Sequence, residues 1–137
     1  MDDDVAGEIM CATYRALCEC GYAELTMQDI ADEWGKSTAA LHYHFDSKHA
    51  LLLAFLDYLY DEYVDRLDDP DGATPADRLR TLLEAVLRPP EPGDHPHEAF
   101  GTAMLELKAQ APYDEAIRER MQAFDAFLFE AVREHVA

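Results

Sequence analysis

Residues 26–48, TMQDIADEWGKSTAALHYHFDSK, read as two short helices joined by a tight turn and followed by a third helix. Thr26 is placed to cap the first, with Asp29 at its third position, where a carboxylate favours the exposed N–H groups and the positive helix end. Ile30 and Ala31 supply its inward face. Gly35 stands where a helix ending at Trp34 needs a residue able to take positive φ, and Ser37 follows as the cap of the next helix. Leu41 and Phe45, one turn apart, form the buried stripe of that second helix. Two short helices joined in this way are a DNA-reading layout. Upstream, Ile9, Ala12, Ala16 and Leu17 make an apolar stripe that ends at Gly21-Tyr22.

These residues strongly resemble the N-terminal domain of the TetR family of one-component transcription regulators. That pattern runs as Thr, three variable residues, Ile-Ala, a short gap, Gly-x-Ser, then Leu-Tyr-x-His-Phe and Ser-Lys. The match lies at Thr26, Ile30-Ala31, Gly35-Lys36-Ser37, Leu41, Tyr43-His44-Phe45 and Ser47-Lys48, and the stripe ending at Gly21-Tyr22 resembles the family's first helix. The resemblance covers about the first third of the chain. It implies an all-α fold, with a three-helix helix-turn-helix head over residues 1–48 joined by a long helix to a helical ligand-binding and dimerisation region over 49–137. Three residues depart from the pattern. His42 replaces an aromatic residue, usually Tyr, that often touches a DNA phosphate, and Ala39 replaces a common Gly. Trp34 stands where a small Ala is usual, so the turn must accommodate a large ring whose N–H wants a partner if buried.

The resemblance and the residue types together select the DNA-facing candidates. Thr26 and Gln28 lie at the first short helix, and Lys36, Ser37, Thr38 and His42 around the second, with Tyr43 and Lys48 on phosphates. Amides and hydroxyls such as those of Gln28 and Thr38 suit base edges. Thr26, Ser37 and Ser47 also act as caps, which is compatible with phosphate contact because a cap leaves backbone N–H groups pointing outward at the same helix end. Tyr43 has a second reading, as a partly buried core residue.

Charge sits awkwardly beside this. The 137 residues carry a formal charge of -18, with 11 Lys plus Arg against 29 Asp plus Glu, whereas a nucleic-acid binder normally shows a basic footprint. The first 48 residues hold only Arg15, Lys36 and Lys48 against ten carboxylates. One explanation is a cytoplasm of molar salt, in which self-repulsion is screened and binding rests on hydrogen bonds, helix N-termini and base contacts. The even spread of Asp and Glu, with Lys only at Lys36, Lys48 and Lys108, favours it. The other is an acidic helical interaction module that kept the fold, binds no DNA and meets a basic protein partner.

Beyond Ser47, residues Leu51, Leu52, Phe55, Leu56, Leu59, Tyr60, Tyr63, Val64 and Leu67 recur at helical spacing and predict a long connecting helix. The segment 68–76, DDPDGATPA, stops it with Pro70, Gly72 and Pro75. A second run carries Leu79, Leu82, Leu83, Val86 and Leu87 and gives way to a loop over Pro89–Pro96. Phe100, Met104, Leu105 and Leu107 mark another helix ending near Pro112, and Ile117, Met121, Phe124, Phe127, Leu128 and Val132 the last. The expectation is seven helices and no strand. Family members are expected to continue through two further long helices that form a four-helix dimer interface. The chain is therefore read as a fragment, as a dimer through its last helices, or as an unusual monomer. The cluster Phe124, Phe127, Leu128 and Phe129 wraps more than one side of its helix, which suits either a partner or the core.

For the body the resemblance implies a small apolar effector, with Phe100, Met104, Tyr113, Met121 and Phe124 as lining residues; the same stripe also reads as core. His42, His44 and His49, and His95 with His97, invite a metal reading, but neither group comes with a properly spaced Cys or carboxylate set, and no metal is expected. Cys11, Cys18 and Cys20 are an odd count confined to the first helix, read as reduced, small apolar residues. No P-loop, dinucleotide or nucleophile-elbow pattern appears, so neither enzyme nor cofactor is expected. No apolar run is long enough for a bilayer, and Met1-Asp2-Asp3-Asp4 is opposite in charge to a secretory leader, so a cytoplasmic protein is expected. Its expected partners are double-stranded operator DNA and a second copy of itself.

Overall fold

Seven helices and no strand make up the described residues, which in this computed structural model are 3–67, 74–87 and 97–136. In chain order they are α1 (Asp3–Glu24), α2 (Met27–Trp34), α3 (Thr38–His44), α4 (Lys48–Leu67), α5 (Pro75–Leu87), α6 (His97–Lys108) and α7 (Glu115–Val136). Ile9, Ala12, Ala16 and Leu17 of α1 are fully buried, as the stripe predicts. Thr13 is buried among them and donates to the Ile9 carbonyl at 2.8 Å, so its hydroxyl is satisfied within its own helix. Regular helix in α1 breaks at Gly21, whose φ of 74° is open to glycine and strained for other residues. A Cβ at this position would lie 3.1 Å from the Glu106 carboxylate of α6, so the absence of a side chain also permits the approach of α6.

The head has no core of its own. Ile9, Leu17, Leu25, Ile30 and Leu41 belong to the same buried cluster as Leu51, Phe55 and Leu56 of α4, Ala103 and Leu107 of α6, and Ile117 and Met121 of α7. α1 packs on both α2 and α6, while α4 packs on α7. Each large apolar side chain fully buried here contributes about 1.5–3 kcal/mol relative to exposure, which makes this shared cluster the principal stabilising term.

Polar ties reinforce the α4–α7 pair. Arg120 of α7 donates to the Leu53 carbonyl at 3.2 Å and pairs with the Asp57 carboxylate at 3.0 Å, and Tyr60 of α4 meets the rings of Phe124 and Phe127 edge-on. At the start of α7, Asp114 uses one oxygen to accept from the Ile117 N–H at 3.2 Å and the other to meet His49 Nε2 at 2.6 Å. Asp114 therefore caps α7 and ties it to the first turn of α4.

Several expectations change. Pro75 opens α5 instead of stopping α4: Thr74 caps that helix by accepting from the Asp77 N–H at 3.1 Å. Proline suits this first helical position because its missing N–H would find no intrahelical partner there. Residues 68–73 of the first expected loop, and all of 89–96, lie outside the described residues. α6 ends at Lys108, and turns carry the chain through Pro112. Leu105, expected on the apolar face of α6, is 69% exposed, because the buried line runs through Ala103 and Leu107. Phe124, Phe127 and Leu128 are half-buried, whereas Phe129 is 68% exposed.

Candidate nucleic-acid interface

Local chemistry fixes the two short helices. The Asp29 N–H donates to Thr26 Oγ1 at 3.2 Å while the Thr26 N–H donates to Asp29 Oδ2 at 2.9 Å, a reciprocal capping box. Gly35 takes φ 83° and donates to the Ala31 carbonyl at 2.9 Å, ending α2 in a left-handed turn. Ser37 Oγ accepts from the Ala40 N–H at 3.1 Å and starts α3. Leu41 and Phe45 point into the core, leaving Thr38, Ala39, His42 and Tyr43 on the outward side of α3.

Tyr43 is 87% exposed, which removes its reading as a partly buried core residue. His42 is exposed and Lys36 is exposed, with its Nζ 5.0 Å from the centre of the Trp34 ring. Gln28 and Thr38 are joined, Thr38 Oγ1 donating to Gln28 Oε1 at 2.6 Å. Gln28 Nε2 in turn donates to Asp32 Oδ1 at 2.7 Å. Both ends of the Gln28 amide are therefore occupied, and the two base-edge candidates form a strut across the helix pair.

Two of the three cations in the head are drawn inward. Lys48 donates to the Leu25 carbonyl at 3.0 Å and lies 5.3 Å from the centre of the Tyr22 ring, tying the start of α4 to the α1–α2 junction. Arg15 reaches the Glu33 carboxylate at 3.3 Å and the Glu33 carbonyl at 3.2 Å, at the negative end of α2. The Trp34 indole N–H finds its partner in Glu8, whose carboxylate accepts from it at 3.4 Å, and His44 meets the same ring edge-on. Glu8, Arg15 and Trp34 also border a shallow hollow of about 280 Å³ with Gly7 and Cys11. The sequence signal for these ties is weak, since partners 18 to 26 positions apart follow no local spacing rule.

Among the described side chains the histidines share no site: His42 is exposed, His44 meets Trp34 edge-on, and His49 meets Asp114. Among the described residues no group of three or more His, Cys, Asp or Glu is placed to hold a metal ion; His95 lies outside the described residues. None of the three cysteines is in a disulfide. Burial, then the charge and hydrogen bond of Asp29, push the Cys20 thiol up, the opposite of an activated thiolate. In the body, Met121 is buried and Met104 and Phe124 pack against the core cluster. Tyr113 does not join them: it is 88% exposed in the turn between α6 and α7. The side chain of Phe100 lies outside the described residues. Among those residues, no helix is long and apolar enough to cross a membrane.

A capped helix-turn-helix pair, seated on a longer first helix and followed by a connecting helix, defines the helix-turn-helix class of regulators. Residues 9–55 match the family model described as bacterial regulatory proteins, tetR family. The structure is similar to a TetR transcription regulator from Haloarcula marismortui, with TM-score 0.85 and 45% identity over 98% of this chain and 69% of that one. A putative TetR-family regulator from Rhodococcus sp. gives TM-score 0.74 and 26% identity, covering 98% of this chain and 70% of that one. Among curated proteins, the transcriptional repressor KstR2 of Mycobacterium tuberculosis is 36% identical over 83 residues, 58% of this chain and 40% of that protein. The chain belongs to the TetR family of transcription regulators. The matched stretch spans about two fifths of the length of the curated repressor.

Proposed function

We propose that the protein is a DNA-binding transcriptional repressor that grips a palindromic operator as a homodimer and releases it when a small apolar effector repacks the body. Residues 1–48 are the DNA-binding head, and residues 49–137 the ligand-binding and dimerisation region. The observation that carries this reading is the doubly capped α2–α3 unit, with Leu41 and Phe45 inward and Thr38, Ala39, His42 and Tyr43 outward. In a dimer the two α3 helices would lie about one DNA turn, roughly 34 Å, apart. Backbone N–H groups at the Thr26 and Ser37 caps, with Lys36, His42 and Tyr43, face phosphates. Thr38 and Gln28 meet base edges by opening their mutual bond. Lys48 acts from behind, by holding α4 to the head. Met104, Met121 and Phe124 are the effector-side residues that the packing supports. The net charge of -18 supports operation in a cytoplasm of high salt.

The test is binding to DNA from upstream of the protein's own gene, against a scrambled fragment of equal length, across a potassium chloride series reaching molar concentration. Retention of the upstream fragment alone at high salt is the expected result. Equal, negligible binding to both would transfer the function to a basic protein partner.

A further inference from the structure

The cation-poor head raises the question of what neutralises phosphate charge. Arg15 and Lys48 are turned inward and Lys36 stays exposed, so the head presents little permanent positive charge. His42 stands out on this surface. It lies one turn beyond Thr38 and on the same face of α3, and it is exposed in the last turn of the helix. It makes no hydrogen bond or ion pair among the described residues. The negative end of a helix favours a protonated imidazole, and so does a phosphate.

We infer that His42 is a proton-dependent phosphate contact, so that operator binding is coupled to proton uptake and tightens as the cell interior acidifies. This rests on the DNA-binding reading of the head. On its own helix His42 is flanked by Tyr43 and His44, with Asp46 one turn on and Lys36 before the helix starts. From α2, the element packed against α3, come Asp29, Asp32 and Glu33. Asp29 is engaged in the Thr26 cap, Asp32 accepts from Gln28, and Glu33 pairs with Arg15. All three carboxylates have partners other than His42. The remaining histidines of this region already have partners, His44 on Trp34 and His49 on Asp114.

Histidine is the side chain whose charge changes most readily in the physiological pH range. Affinity for the upstream DNA fragment should rise on the order of tenfold between about pH 8 and about pH 6 at fixed potassium chloride, the scrambled fragment serving as control. His42→Gln should flatten the profile at the weak, alkaline level. His42→Arg should bind tightly and without pH dependence, and His49→Gln should retain the wild-type slope. A wild-type slope that survives in His42→Gln overturns the inference, as does a flat wild-type profile with no gain from His42→Arg. If neither the wild type nor His42→Arg distinguishes the two DNAs at any pH, the DNA-binding reading itself fails.

Discussion

Thr26 is exposed, yet it closes a box of reciprocal bonds with Asp29 at the first turn of α2. Thr26→Ala removes one half of that box and should cost about 1 kcal/mol, seen as a fall of a few degrees in the thermal midpoint. An unchanged midpoint would mean that the helix start is held by tertiary packing alone. Asp114 gives a second measurable effect. The Ile117 N–H first, and then His49, hold its carboxyl below its ordinary value, while burial works in the opposite direction. Such a group adds stability that is present above the unfolded value of about 4 and is lost as pH falls through the lower folded value. Urea titrations of wild type and Asp114→Asn should therefore differ at neutral pH and converge below about pH 4. A constant gap down to the acid limit would assign the loss to shape and not to charge.

At the level of elements, α7 is fastened to α4 by Asp114 at its start and by Arg120 one and a half turns on. Arg120→Ala should raise amide exchange in the first turns of α7, with α2 and α3 unchanged, as read by hydrogen exchange with mass spectrometry. Equal acceleration throughout would indicate global destabilisation. This is also where sequence reading reached its limit. The caps at Thr26, Ser37 and Ser47 and the turn at Gly35 were legible because each depends on neighbours within four residues. Nothing local signals that Lys48 folds back on Leu25, 23 positions away. Leu105 read as buried because helical periodicity names a stripe without fixing its edges, and the exposure of Tyr113 follows from turns after α6 that no periodic pattern encodes.

For the molecule as a whole, the charge of -18 acts against compactness, since like charges are brought closer on folding. The screening length falls from about 10 Å at 0.1 M salt to about 3 Å at 1 M, so added salt should relieve much of that repulsion. Thermal midpoints should accordingly rise by several degrees between about 0.1 and 1 M potassium chloride. A salt-independent midpoint would remove the argument that the acidic surface suits a concentrated cytoplasm. The all-α architecture was readable from apolar spacing because the long helices bury one continuous face each, as α1 does through Ile9, Ala12 and Ala16.

The buried cluster joining Leu17 and Leu41 to Leu107 and Met121 bears on protein engineering. Grafting residues 1–48 onto another protein's later helices would divide this cluster. Here a cut after Lys48 would strip α1 of α6 and uncover the approach that Gly21 makes to Glu106. A workable chimaera must carry the α6 surface along with the head, or rebuild it in the recipient.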